Sequence, residues 1–199
     1  MRDSGIKEII KSLNNFDFEE KSLLDVFARD GSWQTKAISK LVKITHAWEV
    51  DETFRESLID NLPEGTIVKI GDSHELIQIE KEKFDIVVFD NPMNCYGEFL
   101  EYCEHFDIIQ NFRLIAKDEV VVIYNVKSEP FDYDQNPNWQ KRRNEFYKLE
   151  DTSSLSIGFL RGFYEDLFSK LGYKTQKVIV AKRPQETGLY QFASILERK

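Results

Sequence analysis

Four short segments place chemically capable side chains just after apolar runs. The first is Asp25-Val26-Phe27-Ala28-Arg29-Asp30-Gly31-Ser32, which follows Leu23-Leu24. In an open parallel sheet a ligand settles where a strand hands over to its helix, because free backbone N–H groups and the helix dipole converge there. The second is Glu49, in ITHAWEVDE. A carboxylate ending the next strand can accept two neighbouring hydroxyls of a ribose; a solvated strand-end acid is the plainer alternative, and the position after the second strand favours the former. The third is Asp72-Ser73 in GDSHEL, able to hydrogen-bond a ligand, to cap a short helix, or both. The fourth is Asp90-Asn91-Pro92-Met93-Asn94 after FDIVVF, where a carboxylate and an amide can position a nucleophile and take its proton. Asp-Asn-Pro is also an ordinary loop opener.

The elements that must carry these residues follow from the apolar pattern. Strands are predicted at 22–27, 44–49, 66–70, 84–89, 119–125, 174–182 and 189–196. Helices are predicted over 32–42, 53–61, 74–79 and 156–170, and over 95–116, where Phe99, Cys103, Phe106, Ile109 and Phe112 recur three or four apart. Asn61-Leu62-Pro63-Glu64-Gly65 and Leu171-Gly172-Tyr173 read as helix stops. Alternation of strand and helix implies right-handed crossovers and a mainly parallel sheet. The last two runs lie too close for a helix between them and must form an antiparallel hairpin.

One domain accounts for 199 residues with 41% hydrophobic content. Residues 1–21 form a helical extension, with an amphipathic helix over Ile6–Leu13 that packs on the sheet or covers the ligand cleft. Residues 127–154 break the alternation and read as an inserted lid on the substrate side. Its Phe131, Tyr133, Trp139, Lys141, Arg142, Arg143, Phe146 and Tyr147 either grip a substrate or form a helix with aromatics inward and charges solvated, the second being favoured. The formal net charge of -8 disfavours extended nucleic acid and anionic lipid as partners of the whole surface. No stretch is apolar enough for a signal peptide or a membrane span, so a cytoplasmic protein is expected. Cys95 and Cys103 are expected to be reduced and packed.

The first turn resembles motif I of the class I S-adenosylmethionine-dependent methyltransferases, DxGxGxG. Asp25, Phe27, Arg29 and Gly31 occupy the four positions, and Phe27-Ala28 is similar to the DxFAGxG variant. Arg29 departs from the pattern: a side chain there either points away or meets the cofactor carboxylate. The resemblance runs from about Ser22 to Leu196 and implies a three-layer, Rossmann-like α/β fold, with a seven-stranded mainly parallel sheet closed by the C-terminal hairpin. It implies S-adenosylmethionine bound by Asp25, Phe27, Ala28, Gly31, Glu49 on the ribose, Val50 beside the adenine, Asp72, Ser73 and Asp90. Asp90 and Asn91 would be the catalytic pair, in a segment similar to the Asn-Pro-Pro-aromatic motif of amine methyltransferases. Met93 and Asn94 end that match, so methylation of nucleic-acid amines is not implied. Tyr124, Asn125 and the insert would face the acceptor, a small molecule or a macromolecule presenting an N, O or C nucleophile.

Two other readings compete. A non-catalytic member of the fold, binding cofactor weakly or serving a partner, would accommodate Arg29 and the incomplete fourth motif. A nicotinamide-dependent oxidoreductase would need GxGxxG where this chain has ARDGSW, and would not close with a hairpin. Cys95, Cys103 and His105 suggest a metal site only weakly, since Cys103 and His105 would point to different faces of one helix and no fourth ligand is suitably spaced. His46 reads as a core or sheet-face residue, and His74 as lining the adenine end.

Overall fold

The computed structural model describes residues 4–130, 133–183 and 186–199. In chain order it contains α1 (Ser4–Ser12), β1 (Ser22–Asp25), α2 (Gln34–Ser39), β2 (Ile44–Glu49), α3 (Arg55–Asn61), β3 (Ile67–Ile70), α4 (Ser73–Ile79) and β4 (Phe84–Phe89). A two-stranded hairpin follows, β5 (Cys95–Tyr96) and β6 (Tyr102–Cys103), and then β7 (Ala116–Lys127), α5 (Pro137–Tyr147), α6 (Ile157–Lys170), β8 (Tyr173–Lys182) and β9 (Leu189–Arg198). Short 3-10 turns span Glu52–Phe54 and Ile109–Leu114.

The sheet order is β3-β2-β1-β4-β7-β9-β8, with β9 antiparallel to both neighbours and the other pairs parallel. β4 is buried along its whole length, as a central parallel strand must be, and its run of Phe, Ile and Val supplies both faces at once. Successive residues divide between two cores. Leu24, Val87, Phe89 and Val122 pack on the side of α6 and the 109–114 turn; Leu23, Ile86, Val88 and Val121 pack on the side of α1 and α2. Two layers of helices therefore enclose the sheet. The expected N-terminal helix lies on the sheet, with Ile6, Ile9 and Leu13 buried at helical spacing.

The helix expected over 95–116 does not form. Gly97, Leu100 and Glu104 have φ of +96°, +55° and +46°, which an α-helix cannot contain. The hairpin β5–β6 and the 3-10 turn take its place. The apolar spacing was misleading because Cys103, Phe106, Ile109 and Phe112 are indeed buried, through a folded-back path, while Phe99 is 81% exposed.

The reason for that path lies in the insert. Arg143 on α5 is fully buried and donates to Glu104 Oε1 at 2.5 Å and to the carbonyl of Lys127 at 2.6 Å, and Trp139 Nε1 donates to the same Glu104 oxygen at 2.9 Å. Arg142 donates to both oxygens of Asp107 at 2.6 and 2.7 Å. Phe146 stacks on Phe106 with centroids 3.9 Å apart, Tyr147 is buried, and the Tyr133 hydroxyl meets Thr152. These side chains are used in packing, while Lys141 is exposed and Phe131 lies outside the described residues.

A buried pair of this kind makes the loss of one partner costly, because the other charge remains without compensation. Arg143→Met is expected to lower unfolding stability by about 3–5 kcal/mol in urea titration; a loss below about 1 kcal/mol would show that Glu104 does not depend on it.

Candidate active site

At the end of β1 the chain leaves the sheet under tight backbone control. Val26 N–H donates to the Val88 carbonyl and Ala28 N–H to the Trp48 carbonyl, both at 2.9 Å, so the loop continues the line of the sheet between β2 and β4. Arg29 then takes φ +51° and Gly31 φ +69°. The left-handed conformation that the motif obtains from glycine is adopted here by an arginine, at a cost of about 1–2 kcal/mol. Gly31 has no such latitude, because a Cβ there would also lie 3.0–3.2 Å from Leu58 and Leu62.

Glu49 holds the strained residue in place. Its Oε2 accepts from Arg29 N–H at 2.7 Å, and its Oε1 accepts from Val50 and Asp51 N–H at 2.9 and 3.0 Å. Three amides thus fix one carboxylate between the first loop and the end of β2. The Arg29 guanidinium does not fold back into the loop; its Cζ lies 5.8 Å from the ring centroids of both Trp33 and Phe54.

On the other side of β1, Asp90 follows β4 and accepts from Asn125 Nδ2 at 2.6 Å, with Arg183 Nη1 at 3.6 Å. Burial raises the Asp90 pKa, and the Arg183 charge and the Asn125 hydrogen bond oppose the rise. Asn91, buried, accepts weakly from the Asn125 amide at 3.4 Å. Beneath them Asp25 is fully buried and accepts from Phe27 N–H at 3.1 Å and from the Thr35 hydroxyl at 2.7 Å. Burial and the nearby Asp90 carboxylate push its pKa up to about 7.

These groups surround a cavity of about 560 Å³ over the carboxyl ends of the strands, a size that suits a ligand of several rings or chains. Of the residues expected from sequence, Phe27, Ala28, Glu49 and Val50 line one half and Asp72, Ser73, Asp90 and Asn91 continue the wall, joined by Asn125. Asp25 and Gly31 do not line it: the former is sealed below the loop and the latter faces α3. Asp72 caps α4 by accepting from His74 N–H at 2.8 Å. Tyr124 is a core residue, its hydroxyl 3.1 Å from Ser194 Oγ, because alternation along β7 turns it away from the face that Asn125 presents. No described residue of the insert lines the cavity.

Sequence reasoning missed Trp33, Phe54, Tyr96, Tyr102 and Arg183, which complete the wall. Tyr96 and Tyr102 were hidden by the helix expected there. They pair across the hairpin, Tyr102 stacks on His74 at 3.6 Å, and Tyr96 OH lies 3.1 Å from His74 Nε2. Burial lowers the His74 pKa, which leaves the ring neutral beside them at neutral pH. Arg183 follows β8 and reaches the Trp33 ring at 5.8 Å, a contact across the chain that leaves no local sequence signal.

The remaining histidines belong to the core. His46 packs edge-on against Phe84, and His105 Nε2 lies 2.6 Å from the Tyr164 hydroxyl, its pKa lowered to about 3 by burial and by the Arg143 charge. Among the described residues no three His, Cys, Asp or Glu side chains gather as a metal site, and no helix is long and apolar enough to cross a membrane.

The order of strands, the closing hairpin and the acidic groups after β1, β2 and β4 define a class I methyltransferase fold. Residues 4–153, more than half of the chain, match the family described as Conserved hypothetical protein 95, and the chain belongs to that family. TYW2 of M. jannaschii, solved in complex with AdoMet, is similar over 100% of this chain and 78% of its own, at 18% identity and TM-score 0.59. Trm5b of Pyrococcus abyssi is similar over 96% of this chain and 48% of its own, at 15% identity and TM-score 0.58. A conserved hypothetical protein of Streptococcus pyogenes is similar over 96% of this chain and 93% of its own, at 10% identity and TM-score 0.55. No curated protein matches the sequence.

The raised Asp25 pKa carries a stability consequence. An unfolded Asp ionises near 3.8, whereas the folded one keeps its proton to about 7. Over that window the folded state binds more protons, so its advantage is full below about pH 4 and is lost as pH rises through 7, a change of a few kcal/mol. Asp25→Asn is expected to flatten the profile: between pH 4.5 and 8, wild type should lose about 2–4 kcal/mol more stability than the variant in urea titrations. Parallel profiles would place the ionisation elsewhere.

Proposed function

We propose that this protein is an S-adenosylmethionine-dependent methyltransferase. The observation that carries the reading is the placement of Glu49 and Asp90 on opposite sides of the β1 loop, in one cavity, with the loop in the left-handed geometry that brings backbone close to a ligand.

The residues present fit the cofactor. Glu49 engages three amides, two on Oε1 and one on Oε2, and of the roughly four acceptor sites of an ionised carboxylate about one remains, on Oε2, for a ribose hydroxyl. Val50, Ser73 and the neutral His74–Tyr102 stack sit toward β2 and β3, where a flat base would lie. Arg29 and Arg183, both on the cavity wall, offer positive charge to the cofactor's carboxylate end. Bound there, S-adenosylmethionine supplies a methyl group already activated by its sulfonium.

The chain's part is then orientation and proton management. Asn125 donates to Asp90 Oδ1 and the Gln34 side chain also hydrogen-bonds this carboxylate, whose roughly four acceptor sites leave capacity for an acceptor N–H or O–H. A carboxylate whose pKa is raised by burial is a better proton acceptor than a solvated one. Asn91 supports this corner through the Asn125 amide. Asp25 and Gly31 act from outside the wall, setting the loop that presents Phe27 and Ala28. The acceptor is a small molecule or a macromolecule with an N, O or C nucleophile, entering beside Met93, Asn125 and Glu186 on the wall.

Isothermal titration with S-adenosylmethionine and S-adenosylhomocysteine tests the reading. Both are expected to bind, and Glu49→Ala is expected to weaken them by about 1–3 kcal/mol, the range for charge-assisted hydrogen bonds and buried groups left unpaired. Absence of binding at millimolar ligand would refute the assignment, and unchanged affinity in the variant would remove Glu49 from the ribose.

A further inference from the structure

Cys95 and Cys103 are the two cysteines of the chain, and the hairpin sets them opposite each other. Glu104 N–H donates to the Asn94 carbonyl at 3.1 Å. In an antiparallel ladder that bond makes Asn94 and Glu104 a hydrogen-bonded pair, so Cys95 and Cys103, one step in, are a non-hydrogen-bonded pair. Residues at such positions have Cα atoms about 4.5 Å apart and side chains on one face, within the range that a disulfide spans. The two thiols are in hydrogen-bond contact with each other. Cys103 is fully buried and Cys95 is half-buried, so Cys95 is the more accessible of the two.

We propose that Cys95 and Cys103 are a dithiol modification site: Cys95 attacks a disulfide oxidant such as oxidised glutathione, and Cys103 closes an intramolecular disulfide. In the first step the Cys95 thiolate displaces one glutathione thiolate and forms a mixed disulfide. In the second, the Cys103 thiolate attacks the Cys95 sulfur, the Cys95–glutathione bond breaks and the second glutathione leaves. Two protein thiols lose two protons and two electrons; one glutathione disulfide becomes two glutathione thiols. Burial holds both thiols in the protonated form, and the Glu104 charge adds to this at Cys103, so both steps accelerate as pH rises.

The bond would act on the cavity. Its neighbours in the same hairpin, Tyr96 and Tyr102, are part of the wall and contact His74. The tip between them, Gly97 to Glu101, carries the exposed Phe99 and the positive φ values of Gly97 and Leu100, so cross-linking at its base closes a short loop and restrains the whole wall segment.

The test treats the full-length protein with oxidised glutathione, then unfolds it and alkylates free thiols before mass spectrometry. The expected product is a monomer about 2 Da lighter with no alkylatable thiol, from standard disulfide formation. Amide exchange over residues 94–104 should slow roughly tenfold to a hundredfold, the entropic effect of closing so short a loop. Cys103→Ser should stop at a single glutathione adduct on Cys95. A stable glutathione adduct on wild type, a disulfide-linked dimer, or two thiols still alkylated would each overturn the proposal, as would a disulfide that leaves exchange in the hairpin unchanged.

Discussion

The candidate site depends on one carboxylate shared among three amides. Glu49 accepts from Arg29, Val50 and Asp51, and in doing so ties the loop after β1 to the end of β2. Without that tie, a non-glycine residue at φ +51° would relax toward ordinary backbone and draw the loop out of line with the sheet. With it, Phe27 and Ala28 are presented to the cavity, and the arginine side chain lies on the cavity wall beside Trp33 and Phe54. A position that breaks the glycine pattern in sequence therefore keeps its geometry in structure.

The opposite wall, formed by Asp90, Asn125 and Arg183, is organised by burial and side-chain contacts above the sealed Asp25. Asp90, Asn125, Arg183 and Asp25 form a cluster in which two carboxyls lie near one another and each has its pKa raised. Such clusters cost stability and persist where their chemistry is used. The core below supplies the rigidity: β4 and β7 are buried across most of their length, and their carboxyl ends deliver Asp90 and Asn125 to adjacent positions.

Much of this was legible in the chain. The seven strands, their alternation with helices and the short connection before Leu189 carry the fold, because apolar periodicity records which faces are buried. Phe27, Glu49, Asp72 and Asp90 were legible because ligand sites lie after strands of a parallel sheet. The segment from Cys95 to Ala116 was not. Cys103, Phe106, Ile109 and Phe112 show helical spacing, yet a buried salt bridge between Glu104 and Arg143, 39 residues apart, helps fix a different path. Periodicity cannot register a partner that distant. The same holds for Arg183 and Trp33, which meet only after the hairpin has folded against α2.

Glu49 and Arg29 serve together to hold a ligand-ready loop. A crystal structure of the complex with S-adenosylhomocysteine tests this most directly. A ribose hydroxyl should lie within hydrogen-bond distance of Glu49 Oε2 while Arg29 retains a positive φ. A ribose that makes no contact with Glu49, or an Arg29 that turns to an extended conformation when the ligand enters, would contradict it.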